Sequence, residues 1–280
     1  MNKVNERTSG VRRPLVLIIR CLCLVVAMGT EIQVQGQEVL SHPPKTASRQ
    51  IPVFSARPND SSSQCKTCVK DSESDARTDF NRMLHAPAAI PSGVRRNYRW
   101  LLPVSAITAA LIATGADERA SRHVDSSSLE RTSNNLSHVG LYGIGVGSAA
   151  TIFALGCHYG PNCDPHRRRA GFRTLEAMGY GLVVDEGLKA AFNRERPDNP
   201  AGDGRFWHGG KSFPSGHAVA IWAFASAISN EYPKNRLVRY GSCGLAIAVS
   251  GLRFSAKKHF PSDVLGGSVV GYSLGKYLGQ

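Results

Sequence analysis

The sequence predicts an all-α fold: a six-helix bundle core behind a disordered N-terminal extension. Three observations predict it. From about Tyr98 onward, long apolar stretches recur at lengths that suit helices. No alternating apolar/polar pattern competes with them, so no sheet is expected. Ahead of Tyr98, from about Gln37 to Ser92, the chain is rich in Ser, Pro and Asp and has no sustained periodicity, a composition too polar to build a core.

The elements follow in order. Residues 1–29 read as an export signal or N-terminal anchor. Lys3, Arg7, Arg12 and Arg13 make a basic start, Cys21 to Gly29 is apolar, and Ala27-Met28-Gly29 is an acceptable small-x-small cleavage site. Residues 30–97 form the polar linker, and residues 98–280 form the six-helix domain. The first helix is expected from about Trp100 to Ala116, and the second from Val139 to Cys157, which carries no charge. The third covers Phe172 to Phe192. The fourth follows Pro214 and runs to Asn230. The fifth covers Leu237 to Arg253, and the sixth runs from near Asp263 to Leu278. Gly143, Gly145 and Gly147 inside the second helix point to close helix packing. A dinucleotide fingerprint would need a preceding strand and another spacing. A membrane span needs about 20 apolar residues, and only the second helix approaches that. The third carries Glu176, Asp185 and Glu186. Embedding in a membrane and a bundle resting on its surface both remain open.

Of the 280 residues, 42% are hydrophobic, too few for a chain lying mostly in lipid. The formal net charge of +13 favours anionic partners. No RNA-binding or zinc-finger signature accompanies it, so nucleic acid is not expected. Of seven cysteines, Cys21 and Cys23 lie in the N-terminal apolar segment. Cys65 and Cys68 form a lone CxxC, without the following His of a haem site. Zinc would need further ligands, for which Cys157, His158, Cys163 and His166 are the available set. Disulfides or unpaired thiols in an exported protein are the simpler reading, and no metal or cofactor is expected.

Three segments concentrate polar chemistry at helix ends. In the first, Lys189 and Arg196 are seven residues apart, two helical turns, so they share a face. Pro197 then stops the helix. By itself this is also how a solvated helix C-terminus looks. In the second, Ser212-Phe213-Pro214-Ser215-Gly216-His217 leads into an apolar helix. Its first-turn amides form an anion site, Gly216 permits close backbone approach, and His217 stands beside it. In the third, Arg253 ends one helix and Asp263 begins the next as N-cap, with His259 in the loop between. Asp263 is placed to fix the imidazole tautomer, leaving the other ring nitrogen of His259 free to attack phosphorus. Lys189, Arg196 and Arg253 then offer three cations to one phosphate, and His217 is placed to protonate the leaving oxygen.

The ordered set K-x6-RP, PSGH and R-x5-H-x3-D resembles the type 2 phosphatidic acid phosphatase and vanadium haloperoxidase superfamily. The resemblance implies phosphate binding by Lys189, Arg196 and Arg253, and by Ser215 and Gly216 through hydroxyl and backbone groups. It implies His259 as nucleophile, His217 as general acid and Asp263 as the partner that orients His259. One position departs from it: the serine usual before the third-motif arginine is Leu252 here, and the packing of that leucine against its helix is the favoured reading. Arg194 is an extra cation with no assigned role. The expected activity is hydrolysis of a phosphate monoester or diphosphate through a phosphohistidine. The substrate class is a lipid phosphate of phosphatidic acid or isoprenoid diphosphate type. An exported soluble acid phosphatase is the alternative, and a haloperoxidase holding vanadate on His259 is less favoured. The expected place is the cell envelope, membrane-associated or periplasmic. A cleaved signal followed by one crossing of the first helix would put the site on the cytoplasmic side, against the family's usual outward orientation.

Overall fold

A computed structural model describes residues 81, 85, 98–124, 127–156, 164–198 and 203–279. The expected export signal, nearly all of the linker, and Cys21, Cys23, Cys65, Cys68, Cys157, His158 and Cys163 lie outside the described residues. Among the described residues every regular element is helical. In chain order these are α1 (Tyr98–Ala113), α2 (Ala116–Arg122), α3 (Ser127–His138), a π-helical stretch (Val139–Val146), α4 (Gly147–Gly156), α5 (Pro165–Phe192), α6 (Gly216–Glu231), α7 (Arg236–Ser255) and α8 (Pro261–Leu278). The segments α3, π and α4 form one rod from Ser128 to Gly156, 29 residues long.

The core is built around α6. Every residue from Gly216 to Ile228 except His217 is buried. The helix is hydrophobic on all sides because α5, α7 and α8 enclose it. On α8, Gly267, Gly271 and Gly275 recur every fourth residue and face the α6 backbone. A methyl group at any of them would collide with the carbonyl oxygens of Ser215, Val219 or Ala223. This stripe lets the two backbones approach more closely than side chains would allow. On the other flank, Trp222 Nε1 donates to Ser250 Oγ of α7 at 3.1 Å, satisfying a buried indole.

The six-helix expectation holds in outline, with four differences. The first helix ends at Ala113. The chain turns at Gly115, which has φ 63, and α2 leaves at 76° to α1. The second helix starts twelve residues before Val139, because the polar run Ser127–His138 continues into the apolar one without a break. The third ends at Phe192 as expected but starts seven residues earlier, at Pro165, and Pro197 is not what stops it. Asn193 takes the left-handed conformation (φ 47) and closes α5 with its N–H on the Lys189 carbonyl, the usual geometry of a helix stop. Arg196 therefore lies in a loop and shares no helix face with Lys189. Of the three second-helix glycines, only Gly145 abuts another helix, at Ile221; Gly143 and Gly147 meet only their own rod.

Candidate functional site

The three motif segments converge where α5 ends, α6 and α8 begin and α7 ends. Lys189, buried in the last turn of α5, sits 2.5 Å from Asp185 Oδ2 and 2.9 Å from Glu186 Oε1. Gly216 opens α6 directly against this pair; a Cβ there would lie 2.6 Å from Asp185 Oδ2. Glycine is thus what lets the start of α6 pack against the Asp185–Lys189 pair. Ser215 is the N-cap residue, yet its side chain caps nothing. Its Oγ is buried without a partner among the described residues.

The two other cations carry unused donors as well. Arg196 Nε is buried and unpartnered among the described residues. Arg253 is held from one side: Nη1 donates to Asn134 Oδ1 (2.8 Å) and Ser137 Oγ (3.2 Å) of α3, while Nε has no partner. Neither arginine has a described carboxylate within ion-pair distance. Burial and then the neighbouring Arg196 bring the Arg253 pKa down to about 10. Burying cations side by side is costly unless an anion joins them. Three unpaired donors (Ser215 Oγ, Arg196 Nε and Arg253 Nε) fit the tetrahedral oxygens of a phosphate.

His259 is buried in the loop between α7 and α8. Its Nδ1 lies 2.8 Å from the Ser212 carbonyl oxygen, which can only accept. Nδ1 therefore carries the proton, and Nε2 keeps its lone pair. Here the structure corrects the expected role of Asp263. Its Oδ2 is 3.9 Å from His259 Nδ1, beyond a hydrogen bond, so the tautomer is set by the Ser212 carbonyl. Asp263 is also not the N-cap. The helix begins two residues earlier at Pro261, and Asp263 at the third position accepts the Phe260 N–H at 2.8 Å. It also accepts from Ser212 Oγ at 2.5 Å and Arg194 Nη1 at 2.6 Å. Asp263 thus orients His259 indirectly, by fixing Ser212 and the start of α8. Burial pushes its carboxyl up to about 6 against the opposing pull of Arg194, Ser212 and Phe260.

Arg194 is the hub of this support, only 2% exposed. Besides Asp263 it donates to Ser262 Oγ (2.7 Å), Asp117 Oδ2 (2.9 Å) and the Gly204 carbonyl (3.0 Å). Its guanidinium lies between the Phe206 and Phe260 rings, 4.7 and 4.3 Å from their centroids. Asp117 of α2 closes the cluster by accepting Ser262 N at 3.0 Å and Ser262 Oγ.

His217, in the first turn of α6, meets a residue that sequence reasoning missed. Its Nε2 is 3.2 Å from His138 Nδ1, and the rings are edge-to-face at 4.7 Å. Burial, then Arg253, His138 and Lys189, push His217 down to about 3. Burial, then Arg253 and Arg196, hold His259 well below the usual histidine value. Both rings are therefore neutral at pH 7. The missed wall consists of Asn134, Ser137 and His138. Three polar side chains at positions i, i+3 and i+4 share one helix face, and this pattern just before an apolar run was the available signal.

Residues 170–278 match a family model described as the PAP2 superfamily. Two curated relatives are named lipid A 1-phosphatase, from Rhizobium etli and Rhizobium johnstonii. Each is 34% identical over 91 residues, which is 30% of this chain and 38% or 36% of the relative. The chain thus spans little more than a third of the length of these curated relatives. A crystal structure of a transmembrane PAP2 type phosphatidylglycerolphosphate phosphatase from Bacillus subtilis is similar at a TM-score of 0.45 and 22% identity, covering 68% of this chain and 92% of that chain.

Proposed function

We propose that the chain, whose residues 170–278 match the PAP2 superfamily, is a phosphatase that hydrolyses a lipid phosphate through a phosphohistidine on His259. The observation that carries this reading is the set of buried, unpartnered donors on Ser215, Arg196 and Arg253 around an imidazole whose proton is committed to Ser212. In the proposed reaction these donors and Lys189 hold the phosphoryl oxygens and stabilise the charge that builds up on them. His259 Nε2 attacks phosphorus and the ester P–O bond breaks. The leaving oxygen takes a proton from His217. Water, deprotonated by His217, then cleaves the P–N bond and releases inorganic phosphate. The negative charge of the substrate offsets Arg253 and Lys189, so His217 gains its proton as the substrate enters.

A lipid substrate is supported by the wall opposite the cations. The rod that supplies Asn134, Ser137 and His138 exposes Leu136, Val139, Tyr142 and Ile144. A tail lying along it would leave its phosphate at the cradle. The relatives named lipid A 1-phosphatase point to the same substrate class. The same rod is long and apolar enough to cross a membrane, and 28% of its most apolar stretch is buried in the fold. We assign the enzyme to the cell envelope, with residues 98–280 as the phosphatase domain, 30–97 as linker and 1–29 as signal or anchor.

The test is phosphate release from a lipid phosphate monoester in detergent micelles by the full chain. Turnover is expected to persist in EDTA and to be inhibited by vanadate, which adopts the five-coordinate geometry of phosphoryl transfer. His259→Ala is expected to lose more than the roughly 10²–10⁴-fold attached to an acid–base group. Activity abolished by EDTA and restored by magnesium, or acid-labile phosphate trapped on another residue, would overturn the reading.

A further inference from the structure

Beyond the three motifs, we infer that His138 is a positioning residue that accepts the Nε2 proton of His217 and so fixes which nitrogen of that ring faces the leaving oxygen. The inference rests on the proposed role of His217 as general acid. Geometry carries it. His217 Nε2 and His138 Nδ1 are 3.2 Å apart, and Nδ1 of His217 has no protein partner among the described residues. A hydrogen bond between two neutral imidazoles needs one N–H and one lone pair. With His217 Nε2–H as donor, His217 Nδ1 is the nitrogen that takes up and delivers the catalytic proton. Once protonated, His217 needs an acceptor on its far side, and among the described residues that face it only His138 Nδ1 is within reach.

The surroundings give His138 this one task. Tyr142 stacks on its ring at 5.7 Å in near-parallel planes and also meets His217 edge-on at 5.9 Å. Arg253, approaching from α7, is held by Asn134, one turn before His138, and by Ser137, directly before it. Lys189 acts on His217 from α5. Among the described residues no carboxylate bonds to either histidine, so the acceptor is an imidazole where triad logic places an acid. The backbone changes character directly after His138: the π-helical stretch begins at Val139, and Gly140 tucks under Val249. π-Helical insertions are frequent at functional sites.

Leaving-group dependence separates this role from mere packing. p-Nitrophenolate departs without a proton, whereas an alkoxide needs one. The experiment measures kcat/KM, which reports only the steps through departure of the leaving group, for the full chain on p-nitrophenyl phosphate and on an alkyl phosphate with His138→Ala, His138→Asn, His217→Ala and His259→Ala. His138→Ala is expected to lower kcat/KM on the alkyl ester about 10–100-fold, part of the 10²–10⁴-fold carried by the acid itself, with little effect on the aryl ester. His138→Asn keeps an acceptor oxygen near the Nδ1 position and is expected to restore most of the loss. Equal slowing of both esters by His138→Ala, or no effect, would overturn the inference while leaving the acid role of His217 intact. His217→Ala insensitive to the leaving group, with His259→Ala inactive on both esters, would overturn the acid assignment and this inference with it.

Discussion

Arg194 and Arg196 stand two residues apart in the run Asn193-Arg194-Glu195-Arg196-Pro197, and in the structure they have opposite fates. Arg194 donates to two carboxylates, a hydroxyl and a carbonyl and is stacked between two aromatic rings. Arg196 keeps a buried Nε with no described partner. Buried polar groups in native proteins are satisfied as a rule, so an exception asks for an explanation. The satisfied arginine holds α2, α8 and the 203–212 loop together. The unsatisfied one has a donor left over for the phosphate of the proposed substrate. Chemistry of the side chain cannot tell the two apart; the account of their partners can.

Exchanging losses between the two gives the largest expected effects. Arg194→Ala leaves Asp117 and Asp263 buried without their cation, a change expected to cost about 3–5 kcal/mol of stability. A lysine at 194 is not expected to rescue it, because the donors fan out in a fork that an ammonium lacks. Arg196→Ala removes a cation that pairs with nothing described. Its melting temperature is expected to hold or rise, while turnover falls about 10²–10³-fold through loss of transition-state stabilisation. Thermal melts and kcat of both variants side by side decide it. A folded but inactive Arg194→Ala, or an unstable Arg196→Ala, would reverse the assignments.

The unsatisfied half should also show a pH signature that an anion erases. His217 is shifted from 6.5 down to about 3, so between these values the unfolded chain binds a proton that the folded chain does not. Stability from this group is present above about 6.5 and is lost as pH falls toward 3. His259, also lowered, adds to the same slope. Asp263, raised to about 6, opposes it, its contribution being lost as pH rises through that value. His138 and Glu186, both lowered, also add to the slope, and Asp185, raised by burial, also opposes it. With three imidazoles and one carboxylate against two carboxyls, the melting temperature is expected to fall on acidification. Inorganic phosphate or vanadate should raise it and flatten the slope, because a bound anion favours the protonated imidazoles, and His217→Asn should flatten it without anion. A slope that ignores the anion would break the link between the phosphate cradle and the depressed histidines.

What the sequence made legible follows the same division. Lys189, Arg196, Ser215, Gly216, His217, Arg253 and His259 stand at helix ends marked by proline, glycine or serine, and short motifs with fixed spacing carry them. The second layer was hidden for physical reasons. Asp117 reaches Ser262 across 145 residues by way of a seven-residue helix that only the Gly115 turn announces. Asn134, Ser137 and His138 lie in a polar dodecapeptide that looks like loop until the apolar run behind it extends the helix backward. Asp263 was placed at the correct spot with the wrong hydrogen bond. Sequence spacing gives the neighbourhood of His259, whereas its 2.8 Å contact to a backbone carbonyl is set by tertiary structure.

The smallest expected effect concerns Leu252, where the family resemblance leads one to expect serine. Successive residues on a helix are about 100° apart, so a side chain at 252 does not share the face of Arg253, whose guanidinium bonds to α3. Leu252 is half-buried and belongs to neither hydrophobic core cluster. Leu252→Ser therefore forfeits only part of the roughly 1.5–3 kcal/mol that full burial of a leucine contributes. It also avoids the cavity cost of about 2–5 kcal/mol seen for core leucines. A fall in stability of about 1 kcal/mol or less, with kcat/KM nearly unchanged, is the expected outcome of paired melting and steady-state measurements. A hydroxyl that did reach a charged phosphate oxygen would add about 1.5–3 kcal/mol, roughly 10–100-fold in kcat/KM if the bond forms in the transition state. A gain of that size would show that the cradle has a fourth contact left unfilled, and that Leu252 belongs with Arg196 on the unsatisfied side of the molecule.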